Sequence, residues 1–230
     1  MYKHKYLSGF FLLIVVLLMS EFVSAQRPFR GRITYNITYP GSNIDLAELQ
    51  ELPSKAVIIT KNDQVRTELS AENAGLSQVK ITDVNSGEVS TKLEIMREKY
   101  VITRSAQEIQ TALRNMPQPD IEFTDQTREI LGFTCNHAIA TIVDENGDVY
   151  ESEIWYTPEI PGNAFNFDSP YNEIPGLMLE YEMRVGQLNI RHEATSVRRR
   201  MFVGGRNFYV PRDYQPITYN ELREKLQGNF

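Results

Sequence analysis

Alternation dominates the hydrophobic pattern of the chain. In RITYNITY, Ile33, Tyr35, Ile37 and Tyr39 alternate with Arg32, Thr34, Asn36 and Thr38. A period of two in β-branched and aromatic residues predicts a strand with one apolar face. The same period predicts strands over 56–60 and 64–69 around Lys61, Asn62 and Asp63, and over 78–84 and 88–96 around Asn85, Ser86 and Gly87. Those short polar triplets are turn formers. Further strands are predicted over 99–103, 121–130, 133–143 and 149–157, with Asn146-Gly147 as a hairpin turn, because both residues tolerate positive φ. The stretch NEIPGLMLEYEM (172–183) breaks at Pro175-Gly176 and then alternates, with Leu177, Leu179, Tyr181 and Met183 on one face and Met178, Glu180 and Glu182 on the other. That strand, 177–185, turns at Gly186 into 188–198, and 201–210 would add a last strand near Gly204-Gly205.

The period lengthens in two places. Ser105 and Glu108 have capping-box spacing, and Ala106, Ile109, Leu113 and Met116 follow at helical spacing until Pro117 and Pro119. Thr218 and Glu221 repeat the box before Leu222 and Leu226, with Gly228 as the stop. A short helix over 45–52 fits before Pro53, and the proline-rich segment 158–176 reads as a long loop. About ten strands joined by hairpins imply an antiparallel sheet, and one apolar face per strand implies one covered side. The expected fold is mainly β (α+β): a single curved antiparallel sheet, or half-open β-barrel, with two or three short helices over its concave face.

The first 25 residues stand apart. Lys3 and Lys5 precede an apolar run from Phe10 to Met19, and Val23, Ser24 and Ala25 offer a cleavage site. This is the pattern of a cleavable signal peptide, and the run is short for a membrane span. The expected domains are therefore 1–25, removed, and 26–230, a single β domain in the periplasm or secreted. Without Lys3, Lys5 and Glu21, 22 basic and 29 acidic residues remain, a net charge of −7. An acidic exported chain is a poor nucleic-acid partner. Its single cysteine, Cys135, excludes an internal disulfide, so packing must hold it together.

Candidate chemistry is sparse. Cys135 and His137 share a strand face, which would suit a thiol–imidazole dyad or simply a buried strand. Two histidines and one cysteine after processing give no metal set, so neither metal nor cofactor is expected. The acidic stretch from Asp144 to Asp148 begins like a calcium loop, but Val149 stands where that loop needs glycine and Trp155 where it needs glutamate. Glu151 and Glu153 alternate as a solvent face does, and Arg198, Arg199 and Arg200 could meet anionic lipid or solvent alone. No phosphate loop, dinucleotide fingerprint or nucleophile elbow occurs, so an enzyme is not expected.

Three segments carry a resemblance: RITYNITY with QVRTEL, then REILGFTCNHAI, then SEIWYTPEI with IPGLMLEYEM and YVPRDY. In order and spacing they resemble the GLPGLI-type exported envelope proteins of diderm bacteria. The name-giving motif corresponds to residues 174–179, from which Ile174 and Met178 depart. The resemblance implies a fold like the LolA and LolB lipoprotein carriers, a half-open barrel with a helical lid, and implies no catalytic residues. Two functions follow as expectations. One is a non-catalytic periplasmic carrier-like module for a lipid or acylated protein. In it Tyr35, Ile37, Leu177, Leu179, Tyr181 and Met183 form the ligand-binding wall, and Ile109, Leu113 and Met116 the lid helix; equally, these residues could be core. The other is a protein–protein module of outer-membrane assembly or envelope stress response without lipid, with Phe165, Phe167 and Tyr171 as loop anchors.

Overall fold

The computed structural model describes residues 29–227, apart from 43, 72–76, 96, 145 and 146. The expected signal peptide, the Asn146 half of the hairpin turn and the Gly228 stop lie outside the described residues. Twelve strands form one sheet: β1 (Gly31–Thr38), β2 (Lys55–Lys61), β3 (Gln64–Ser70), β4 (Ser77–Asp83), β5 (Glu88–Ile95), β6 (Glu98–Arg104), β7 (Asp120–Ile130), β8 (Phe133–Val143), β9 (Val149–Pro161), β10 (Gly176–Val185), β11 (Leu188–Arg199) and β12 (Gln215–Pro216). Their order is β12-β6-β5-β4-β3-β2-β1-β11-β10-β9-β8-β7. The sheet is curved and unclosed, with β12 and β7 as its two ends. Every neighbouring pair is antiparallel except β12 with β6.

Two runs of hairpins, β2 to β6 and β7 to β11, meet where β1 pairs with both β2 and β11. Turn chemistry drives each run. Asn62 has φ 54° between β2 and β3, and Gly87 has φ 67° between β4 and β5. Such values suit asparagine and glycine and disfavour residues with bulky side chains.

Directly paired residues share a face of the sheet. The register therefore draws one row through Leu93, Gln78, Leu69, Ala56, Tyr35 and Ala194. A second runs through Ile37, His192, Tyr181, Ile154, Ala138 and Phe123. Two helices cover this face, while on the opposite face Tyr214 of the C-terminal segment lies against Lys92 and Glu94. Helix α2 (Ala106–Arg114) sets Ile109 and Leu113 on Val89, and helix α4 (Tyr219–Gln227) sets Leu222 against Leu93, Tyr100 and Ile102. Both expected capping boxes form: Ser105 and Glu108 bond each other's backbone amides, as do Thr218 and Glu221. Helix α1 (Leu46–Glu51) buries no residue.

Three expectations need correction. Residues 201–210 hold a 3-10 helix, Gly205–Phe208, and no strand. The segment 158–176 is only partly loop: β9 continues to Pro161, and helix α3 (Asn163–Asn166) follows. Alternation along β10 fails as well. Met178 pairs with Tyr156 but Glu180 with Trp155, so Leu179 is an extra residue in a β-bulge. Met178 and Tyr181 thus share the covered face, while Leu177, opposite Thr157, falls on the other.

Candidate functional site

Between β9 and β10 the chain leaves the sheet and returns across its covered face as a lobe. Its neck is closed: the Gly162 amide donates to the Pro175 carbonyl at 3.0 Å. Asn166, buried, donates through Nδ2 to the carbonyls of Ile174 (2.9 Å) and Gly176 (3.1 Å). Glycine is required at the neck. A Cβ on Gly162 would lie 2.5 Å from the Gly176 carbonyl oxygen. Residues 162–175 thus form a compact Ω-loop with its own internal stitching.

The lobe's apolar side chains point into the molecule. Tyr171 and Ile174 are 1% exposed and pack on Ala138, Ile154, Tyr156 and Met178. Phe165 packs on the central cluster around Tyr35 and Ile37, and Phe167 on Val89 and helix α2. Two polar contacts fasten the lobe to the sheet: Lys80 Nζ to Asp168 at 2.8 and 2.9 Å, and the Tyr171 hydroxyl to the Glu182 carbonyl at 3.1 Å. The expected surface anchors Phe165, Phe167 and Tyr171 are therefore a plug. Loop composition could not show this, because an aromatic on a loop can face either way.

Of the expected wall, Tyr35, Ile37, Leu177 and Leu179 are buried in one cluster with Ala56, Cys135 and Ile160. A side chain facing a hollow wide enough for an acyl chain would keep accessible surface. Leu177 keeps 1% and Leu179 none. In this conformation they are core. Tyr35 stands edge-on to Tyr181, centroids 6.3 Å apart, and donates to the Met178 carbonyl at 2.8 Å. Tyr181 stacks on His192 with centroids 4.5 Å apart, and Met183 flanks the neighbouring cluster. Burial pushes both tyrosine hydroxyls up and the His192 imidazole down to about 4. The expected lid helix lies apart from this wall: Ile109 and Leu113 pack at β5, and Met116, beyond the helix end, is half exposed.

Cys135 and His137 form no dyad. The thiol donates to the Phe133 carbonyl at 3.6 Å, and burial pushes it up to about 11. The His137 ring lies 4.5 Å from Trp155 with Nδ1 2.9 Å from the Thr124 hydroxyl. Around Trp155 this opposite face carries charge. The Arg128 guanidinium sits 4.1 Å from the Trp155 ring centroid and pairs with Glu180, while Arg191 pairs with Glu182 and Glu193. These charges frame a cavity of about 60 Å³, too small for an organic ligand. Of the three terminal arginines, Arg199 pairs with Glu159 and lies over Phe133. Among the described residues no cluster could hold a metal, and no helix is long and apolar enough to cross a membrane.

No family model matches the chain, and no curated protein matches it. Among solved structures it is similar to PNGF-II in two crystal forms, with TM-scores of 0.54 and 0.53 at 17% and 18% identity. Each match covers 86% of this chain and 33% of that one, so the chain spans about a third of the length of PNGF-II. LprF from Mycobacterium bovis matches at a TM-score of 0.30 and 11% identity, over 73% of this chain and 85% of that one. At these identities the PNGF-II match bears on fold alone. The LprF match is too loose to bear on either fold or function.

Proposed function

We propose that the protein is a non-catalytic, carrier-like module of the cell envelope that holds an apolar chain, a lipid or the acyl group of a lipoprotein, by exchanging it for its own plug. One observation carries the reading. The sheet does not close on itself, and its apolar face is sealed by a self-stitched lobe that side chains, not strand pairing, fasten down. Such a lobe can lift as a unit about Pro161 and Gly176 without breaking the sheet.

Magnitudes favour an exchange over an empty pocket. Burying the four plug side chains Phe165, Phe167, Tyr171 and Ile174 is worth about 6–12 kcal/mol at roughly 1.5–3 kcal/mol each. An acyl chain of about fourteen carbons returns on the order of 10 kcal/mol, at roughly 0.8 kcal/mol per methylene. The two are close, so either occupant could hold the face. Processing of residues 1–25 and residence in the periplasm belong to the same proposal. Lipid mass spectrometry on protein purified from its native envelope tests it. Co-purifying acyl chains are the expected result; native-source protein free of lipid and acylated peptide would defeat the carrier.

A protein–protein module without lipid is the second reading. It is favoured by Val143, Val149 and Val185, each more than half exposed at the same end of the sheet. In-cell crosslinking from that end would capture a distinct envelope protein if this reading holds, and only the protein itself if it fails.

A further inference from the structure

Beyond the lobe, the sheet carries a second opening. The β9–β10 ladder ends at the pair Tyr181 with Ile154. Each strand nevertheless continues on its other side: β10 pairs with β11 out to Val185 with Leu188, and β9 with β8 out to Val149 with Val143. The sheet therefore forks. Among the described residues no strand pairing joins 149–153 to 182–185. A cavity of about 240 Å³ fills the fork, with Tyr150, Glu151 and Ser152 on one lip and Glu182, Met183, Arg184 and Asn189 on the other.

The charges in the fork are arranged. Arg184 reaches across, its guanidinium carbon 3.8 Å from the Tyr150 ring centroid. Its Nε donates to the Gly186 carbonyl at 3.1 Å and one Nη to the Asn189 side chain at 3.4 Å. A ring and two neutral oxygens thus hold the guanidinium, and among the described residues no salt bridge engages it. A guanidinium held in this way is a preorganised carboxylate receptor. Across the same cavity stand two carboxylates. Glu151 makes no ion pair among the described residues, and Glu182 is partly engaged by Arg191 at 3.3 Å. Met183 adds an apolar floor.

We propose that this fork is a binding site for a small zwitterion, a free amino acid or a dipeptide. Arg184 takes the carboxylate, Glu151 and Glu182 take the ammonium, and Met183 takes the side chain. Size agrees: the cavity falls just short of the roughly 300–1,000 Å³ of drug-sized sites. Both charges of the ligand must therefore lie close together, as in these two molecules, and a long peptide presents only one of them.

NMR titration of the purified protein tests this with four probes: alanine, dialanine, N-acetyl-dialanine and dialanine amide. Alanine or dialanine should shift the Tyr150 and Met183 signals with a Kd of about 1 mM or tighter, and the tighter of the two identifies the source. Blocking either charge should weaken binding at least tenfold. Arg184→Gln should abolish the shifts. Arg184→Lys, which keeps the charge and loses the planar fork, should weaken them while leaving distant amide signals in place. Blocked probes binding as well as dialanine, or no shift from either zwitterion, would overturn the site.

Discussion

Two buried titratable residues set expectations that are independent of any ligand. His192 is 8% exposed at the middle of the sheet, facing Tyr35, Tyr181 and Ile37, with Nδ1 unpartnered. Burial holds its pKa near 4, and a backbone hydrogen bond at Ile190 opposes that only in part. An unfolded histidine titrates near 6.5. The unfolded chain thus takes up a proton first, so the stability contributed by the neutral ring is whole above about pH 6.5 and falls as pH drops towards 4. The gap of roughly 2.5 units corresponds to about 3 kcal/mol. Urea unfolding at pH 7 and pH 4.5 should show most of that loss. His192→Phe should flatten this part of the profile; an unchanged slope in the variant would assign it to other groups. Cys135 makes the second case. With its thiol buried and its pKa near 11, it should resist thiol reagents at pH 7.5 in the native state and react fully in urea. Fast native labelling would show that the central cluster opens.

Among the elements, the lobe matters most, and it shows where sequence reading stops. Strands β1 to β11 and both capping boxes were legible because each depends on residues a few positions apart. The plug was not. Prolines and asparagines between 158 and 176 mark a loop correctly, yet the direction in which Phe165, Phe167 and Tyr171 point depends on Lys80, Val89 and Ala138, far away in the chain. Leu179 was hidden for the same reason: the bulge is set by how β9 and the 157–161 segment meet Gly176, and composition within β10 carries no trace of it. The wall residues were found as a set, but their pattern suits a filled core as well as an emptied one. The neck can be tested directly. Gly162→Ala places a methyl against two carbonyl oxygens and should cost about 1–3 kcal/mol. Asn166→Ala leaves the Ile174 and Gly176 carbonyls without donors, with a cost of similar size. Both losses should appear in urea unfolding, and proteolysis should cut first within 162–175. Wild-type stability in both variants would show that the lobe is not stitched at its neck.

At the scale of the molecule, one unclosed sheet supports two separate openings. Its face is sealed by a self-stitched lobe, and another end forks around a charged cavity. The account rests on the first: the lobe must lift when an apolar chain takes its place. A spin-label distance between Asn172→Cys on the lobe and Arg32→Cys on β1 measures this most directly, since both sites are exposed and Cys135 is shielded. The protein alone should give one short distance, and saturating myristate should replace it with a longer one. A distance unchanged when myristate is bound, or no binding of myristate at all, would contradict the exchange.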